Sequence, residues 1–141
     1  MKLDFRIEKL DLALFQFLNL KSAILNLSYH WFKIFEKEER EEDYLPTSTF
    51  MTFQFKNEKI CVTRTEKGLY AFGDTCPHNG ARLSLGFCTK KNEVVCPLHR
   101  YSFDLDSGKA TSGGAFAIKI YPIEFRDDGV WVGIKASWWE A

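Results

Sequence analysis

From Tyr29 onward, hydrophobic and polar positions alternate in short runs that are separated by turn-forming residues. Such period-two runs are typical of half-buried strands, because successive side chains of a strand point to opposite faces. The pattern predicts strands over residues 30–35, 50–55, 60–65, 69–75, 87–89, 93–96, 101–105, 117–125 and 130–134. The Asp-Gly pair at 128–129 is a strong hairpin signal between the last two. Short strands at this spacing predict an all-β sandwich or barrel.

Residues 1–28 follow a helical period instead. Their hydrophobic positions recur at spacings of four and three residues along one side of a helix, as in Leu3, Ile7, Leu10, Leu14 and Phe17. Polar residues interrupt this run before it reaches the roughly 20 apolar residues of a membrane span. Acidic residues near its start are unlike a signal peptide. The sequence therefore predicts an amphipathic N-terminal helix over 1–28, followed by one folded domain over 29–141.

Three interpretations of this N-terminal segment stay open. The helix docks on the domain through its apolar stripe, which is the usual fate of such a stripe. Alternatively it is an interfacial membrane anchor, which the mixture of acidic and basic residues disfavours. The third interpretation is that the chain starts near Tyr29.

Length and charge narrow the class of function. The chain has 141 residues, 45% of them hydrophobic, which is enough for one core. Lys and Arg total nineteen, and Asp and Glu also total nineteen. The chain has no net positive charge to meet phosphates, which disfavours DNA or RNA as a general ligand.

Two short motifs carry the candidate chemistry: Cys76-Pro77-His78 and Cys96-Pro97-Leu98-His99. Two thiolates and two imidazoles can bind a tetrahedral zinc ion or a [2Fe-2S] cluster. Zinc fingers usually pair Cys with Cys and His with His. Here each motif mixes the two types, which favours a cluster in which one iron takes both Cys and the other takes both His. Mononuclear zinc and a purely structural role stay open as alternatives.

At these motifs the sequence resembles the Rieske ferredoxins. CPHNGARLSLG at 76–86 and CPLHRYSFDLDSGKA at 96–110 are similar to the two cluster-binding loops of that family. The resemblance runs from about His30 through Ile134. It implies a β-sandwich base that carries a small cluster-binding subdomain over about 74–105. It also implies that Cys76 and Cys96 hold the buried iron, and that His78 and His99 hold the iron nearest solvent.

The same resemblance predicts a low reduction potential. High-potential members join the two loops by a disulfide, and the corresponding positions here are Ala81 and Leu98. Those members also have a Ser and a Tyr hydroxyl as donors, whereas this chain has Tyr101, which is too long to copy a Ser, and Phe103, which has no hydroxyl. Fewer donors near the cluster stabilise the added electron less, which lowers the potential.

Arg100 departs from the family pattern, which usually has Gly after the second ligand His. The replacement predicts a different bend of this loop, because Gly often marks an unusual backbone angle. A cation here would favour the reduced cluster and could meet an acidic partner. The alternative is an Arg directed into solvent with neither role.

The other two cysteines are predicted to be structural. Cys61 alternates with Val62 in a predicted strand and reads as a small core residue. Cys88 is interpreted as a free thiol, because the two motifs already supply four ligands. Without a signal peptide or a disulfide pair, the expected location is the cytoplasm.

The resemblance implies a one-electron carrier with no catalytic residues of its own. Its partners would be a flavin-dependent reductase and a terminal oxygenase or another redox enzyme. His30 is the only other His, so the two-His, one-carboxylate iron site of an oxygenase cannot be assembled. A small electron-transfer subunit of a multisubunit oxidoreductase, such as a nitrite reductase, is the alternative. An iron-sulfur sensor is a third hypothesis, with no DNA-binding feature to favour it.

Overall fold

The computed structural model describes residues 28–112 and 114–139, and within them the protein is almost entirely β. The strands, β1 to β10 in chain order, are Tyr29–Glu36, Phe50–Phe55, Glu58–Thr65, Gly68–Gly73, Phe87–Cys88, Glu93–Val95, Ser102–Asp104, Ile120–Tyr121, Ile123–Arg126 and Gly129–Lys135. One short helix, α1 (Ala136–Trp139), follows β10. The all-β prediction is therefore confirmed. The predicted helix over 1–28 lies outside the described residues, apart from Ser28.

The strands form three antiparallel sheets. Strands β1, β10 and β9 make one, in that order, and β2, β3, β4 and β8 make the second. The third consists of β5, β6 and β7, and it falls within residues 74–105. None of the described helices is long and apolar enough to cross a membrane.

Strand β3 belongs to two hydrophobic cores at once. On one face Ile60 and Val62 pack with Val130, Val132 and Ile134 of β10. Because side chains alternate along a strand, Cys61 points to the opposite core, which it shares with members of the third sheet: Val94 and Phe103. The four-stranded sheet is thus a middle layer between the base and the part of the molecule that carries the two Cys-His motifs. Cys61 is fully buried, as predicted.

The strand predicted over 117–125 is in fact two strands. Pro122 separates β8, which pairs with β4, from β9, which pairs with β10. Proline has no N–H to donate to a ladder, so a continuous strand cannot pass through this position. At this proline the chain passes from the sheet of β2, β3, β4 and β8 to the base sheet, which consists of β1, β10 and β9. The sequence analysis followed the hydrophobic pattern and missed this break.

A buried polar network holds β8 to β3. The Glu58 carboxylate, 8% exposed, accepts hydrogen bonds from the Tyr121 hydroxyl and from Lys119 Nζ, the latter at 2.9 Å. Burial raises the pKa of Tyr121, and the adjacent Glu58 raises it further. The phenol therefore stays protonated and remains a donor to Glu58.

We predict that Tyr121→Phe destabilises the protein. Without the phenol, the buried carboxylate loses one of its two donors, and its Oε2 atom keeps only the 3.2 Å contact to Lys119 Nζ, which costs about 1 kcal/mol of unfolding free energy. Tyr44→Phe is the control, because the Tyr44 hydroxyl contacts the Glu38 carbonyl in an exposed position at 3.4 Å. Urea unfolding followed by far-UV circular dichroism measures both. Equal midpoints for the two variants would contradict a stabilising role for the network.

Candidate cofactor site

The two Cys-His motifs fold into the same six-residue turn. In the first loop the Cys76 N–H donates to the Ala81 carbonyl at 2.8 Å, and the Gly80 N–H donates back to the Cys76 carbonyl at 2.9 Å. In the second loop the Cys96 N–H donates to the Tyr101 carbonyl at 2.8 Å, and the Arg100 N–H donates to the Cys96 carbonyl at 3.1 Å. Each turn presents its Cys and its His from a closed loop.

Both turns depend on one residue in the left-handed region of backbone space. That residue is Gly80 in the first loop, with φ of 76°, and Arg100 in the second, with φ of 58°. The prediction that Arg100 changes the bend of the loop is therefore wrong. The hydrogen bonds that close the turn fix the backbone, and Arg100 adopts the conformation that suits glycine.

The two thiols lie together in the interior. Cys76 is 1% exposed and Cys96 is fully buried, and both belong to the core of Leu83 and Phe103. Burial raises the pKa of the Cys76 thiol and the neighbouring Cys96 thiol adds to the rise, while the His78 N–H opposes it. Two adjacent thiolates in such a place are costly unless positive charge compensates them. Metal ions of a bound cofactor would supply that charge.

The two imidazoles lie on the exposed side of the same loops. The ring centroids of His78 and His99 are 5.3 Å apart, and the rings meet edge to face at 87°. His78 is the third residue of its turn and His99 is the fourth of its own. Both residues are exposed, in contrast to the cysteines. The structure thus arranges the four predicted ligands as two pairs, with the thiols buried and the imidazoles exposed.

Aromatic side chains pack around His78. The Tyr101 ring lies 4.3 Å from the His78 ring and meets it at 66°. The Phe116 ring, from the segment after β7, is 5.5 Å from His78 and 6.1 Å from Tyr101. The first imidazole is therefore held by neighbours from two other loops. The sequence analysis did not single out Phe116, which no local pattern distinguishes from the other twelve phenylalanines.

Asn79 links the two loops at the second imidazole. Its side-chain oxygen accepts a hydrogen bond from the Ala81 N–H at 3.0 Å, which fixes the orientation of the amide. The amide nitrogen then faces His99 Nδ1 at 3.1 Å. An NH2 group can only donate, so the amide N–H is directed at this ring nitrogen. Sequence reasoning missed Asn79, although an Asn-Gly pair is a recognisable turn signal.

Asp74 lies just before the first loop and anchors it to the residues that follow the loop. Its side chain is fully buried, accepts from the Ser84 N–H at 2.8 Å and forms an ion pair with Arg82 Nε at 3.2 Å. Its backbone carbonyl accepts from the Leu83 N–H at 2.7 Å. These contacts tie the chain just before Cys76 to the chain just after the loop. Asp74 was not predicted from the sequence, and the available signal was an acidic residue two positions before Cys76.

The remaining thiols lie outside the site. Cys61 is fully buried, and burial raises the pKa of its thiol. Cys88 is partly buried, with its sulfur 3.8 Å from Thr63 Oγ1, and burial raises its pKa too. In residues 28–112 and 114–139, no three His, Cys, Asp or Glu side chains converge on a single point. A two-iron cluster needs two protein ligands at each iron, so the four candidates would act as two pairs and not as one group of three or more.

Comparison with known proteins identifies relatives of this chain. The model of the Rieske [2Fe-2S] domain matches residues 30–122, more than half of the chain. The ferredoxin component of the 2,4-dinitrotoluene dioxygenase system from Burkholderia sp. is 33% identical over 86 residues, which cover 60% of this chain and 82% of that protein.

Solved structures share the fold. The complex of reduced oxygenase and oxidized ferredoxin in carbazole 1,9a-dioxygenase contains a chain that matches with a TM-score of 0.60 and 22% identity, over 72% of this chain and 99% of that one. A nitrite reductase small subunit from Mycobacterium tuberculosis matches with a TM-score of 0.66 and 20% identity, over 77% and 97%. At these identities the likeness shows a common fold.

The matched turns lead to a stability prediction. Arg100→Gly should raise the unfolding free energy by about 1 kcal/mol, because a non-glycine residue at this φ costs about 1–2 kcal/mol. Gly80→Ala should lower it by a similar amount. A Cβ added at Gly80 has nothing within 4 Å, so only the backbone conformation penalises alanine there. Urea midpoints of the two variants test this, and a destabilised Arg100→Gly protein would refute it.

Proposed function

The chain belongs to the Rieske [2Fe-2S] domain family, and on that premise we propose that it carries single electrons through a cluster held by Cys76, His78, Cys96 and His99. One observation carries the proposal: two buried thiols lie beneath two exposed imidazoles on two loops of the same shape. In the proposed assignment, Cys76 and Cys96 hold the inner iron and the two histidines hold the outer iron.

The donor set suits a cofactor that changes charge by one electron. When bound, the cluster supplies a centre that accepts and returns a single electron. Neutral imidazoles in place of two thiolates leave less negative charge on the reduced state, which raises the potential above that of an all-Cys cluster. The buried thiols keep water from one side, and the exposed imidazole edges give a partner the closest approach.

The protein is an electron carrier and does not itself transform a substrate. His78 and His99 are two of its three histidines, so the chain holds no second metal site with two His ligands. Its relative in the 2,4-dinitrotoluene dioxygenase system is described as a ferredoxin component. The same role in this chain needs only the cluster and the exposed imidazole edges.

We infer two redox partners and a compartment. A terminal oxygenase would accept the electron, as the names of the dioxygenase-system relatives suggest. A flavin-dependent reductase would supply it, since flavins can divide an electron pair into single electrons. All four cysteines are free, which suits a reducing compartment and supports a cytoplasmic location. Co-purification with a stoichiometric partner would instead favour a subunit of a larger oxidoreductase.

Substitution of the proposed ligands distinguishes residues that hold a cluster from cysteines with a structural role. We expect Cys96→Ser and His99→Ala to lose iron and acid-labile sulfide together, because each removes one of four ligands. Cys88→Ser, which removes a thiol outside the site, should keep two irons and two sulfides per chain. The dithionite-reduced holoprotein should give a rhombic EPR signal with average g below that of all-Cys ferredoxins. One zinc per chain without sulfide would overturn the proposed function.

The reduction potential should lie at the low end of the Rieske range, about −150 mV. Leu98, 62% exposed, stands where high-potential members have a disulfide cysteine. Phe103, fully buried, stands where they have a hydroxyl donor and has no hydroxyl itself. At the other donor position, the ring of Tyr101 packs on His78, with the two ring centroids 4.3 Å apart. A reductive titration monitored by circular dichroism gives the midpoint. A value well above zero would show that other donors stabilise the added electron.

A further inference from the structure

Arg100 differs from the other arginines of the described residues. Four of them have a partner in the chain: Arg40 with Asp43, Arg64 with the Leu45 carbonyl, Arg82 with Asp74, and Arg126 with Glu124. The Arg100 side chain is exposed, and no ion pair or hydrogen bond engages it within residues 28–112 and 114–139. Its charge is thus unused by this part of the fold.

The same residue occupies a backbone conformation that glycine would adopt at lower cost. At φ of 58°, Arg100 occupies a backbone region that a Cβ atom disfavours and that glycine enters freely. A partnered side chain could offset that cost, but Arg100 has no such partner in the described residues. The hydrogen bonds of the turn hold Arg100 in this conformation, so the angle explains the backbone and leaves the choice of a charged side chain without a structural reason in the described residues.

The surroundings of Arg100 give its charge unusual weight. Among the twelve residues of the two turns, 76–81 and 96–101, it is the only Lys, Arg, Asp or Glu. The chain as a whole has a formal net charge of zero, so net charge does not steer an encounter. Leu98, two positions away, is 62% exposed and offers an apolar contact. Within these two turns, a partner that approaches His99 therefore meets Arg100 as the one charged side chain and Leu98 as an exposed apolar one.

We propose that Leu98 and Arg100 form a docking surface for a redox partner whose own contact surface is acidic. This proposal rests on the function proposed above and specifies the partner by its charge. A carboxylate of the partner would pair with Arg100 while its redox centre lies next to the adjacent His99. A charge at the rim of a contact mainly raises the association rate and rejects partners of the same sign.

Electron transfer to two haem proteins of opposite charge tests the proposal. The dithionite-reduced holoprotein, with its cluster checked by EPR and by iron and sulfide analysis, is mixed in a stopped-flow instrument with cytochrome b5, which is acidic, or cytochrome c, which is basic. Arg100→Asn removes the charge and keeps a residue that tolerates the left-handed region. Arg100→Lys keeps the charge. Lys37→Gln removes an exposed cation from the segment after β1 and serves as the control.

The ratio of the two rate constants is the decisive quantity, because a change in reduction potential affects the driving force toward both acceptors. At low ionic strength, Arg100→Asn should slow the reaction with cytochrome b5 about threefold and speed that with cytochrome c by a similar factor. Arg100→Lys and Lys37→Gln should leave the ratio near that of the unaltered protein. An unchanged ratio in Arg100→Asn, or an equal change in Lys37→Gln, overturns the docking surface.

Two further measurements distinguish a failure of the docking surface from a failure of the proposed function. If Arg100→Asn fails to hold its cluster, the salt dependence of the unaltered protein decides: its rate with cytochrome b5 must fall as ionic strength rises, and the opposite dependence refutes the proposal. If the unaltered protein holds no [2Fe-2S] cluster, the proposed function itself fails, and this is known before any mixing. A cluster-bearing protein whose rate ratio does not change in Arg100→Asn remains an electron carrier without this surface.

Discussion

Hydrogen bonds between backbone groups, two in each loop, hold the functional centre in place. In each turn the Cys N–H reaches the carbonyl five residues on, and its carbonyl receives an N–H four residues on. This closure directs each thiol into the core and leaves each imidazole outside. It also imposes the left-handed residue, since the turn cannot close with an ordinary backbone angle at that position. Asp74 ties the two ends of the first turn together, and β6 and β7 of the third sheet flank the second turn.

Much of this arrangement could be predicted from local sequence. Strand β2 matches its predicted range of 50–55, and the other strands mostly differ at their ends by one or two residues. Hydrophobic alternation and turn residues carry that information within a few positions. The four candidate ligands could be found in the same way, because each Cys is followed by a proline and then, within one or two positions, by a His, which is a distinct local pattern.

The features that the sequence did not reveal depend on contacts between distant segments. The alternation of hydrophobic and polar residues continues on both sides of Pro122; the proline signals a break, but the pairing of β8 and β9 with different sheets shows where the chain goes. Packing of Phe116 on His78 joins residues 38 positions apart, and the hydrogen bond from Asn79 to His99 joins residues 20 apart. The backbone of Arg100 was misjudged for a related reason: the turn dictates the angle, and the residue type adapts to it.

The position of β3 between two cores means that a cofactor bound at one end would stabilise the entire molecule. Ile60 and Val62 face the base while Cys61 faces the cluster side, so neither core can open without disturbing the strand that both share. Binding that favours the native state adds to the stability of every element that unfolds with it. The apoprotein would therefore unfold more readily throughout, base included. Its population of open states would expose it to proteases, so that a cell could remove chains that never received their metal.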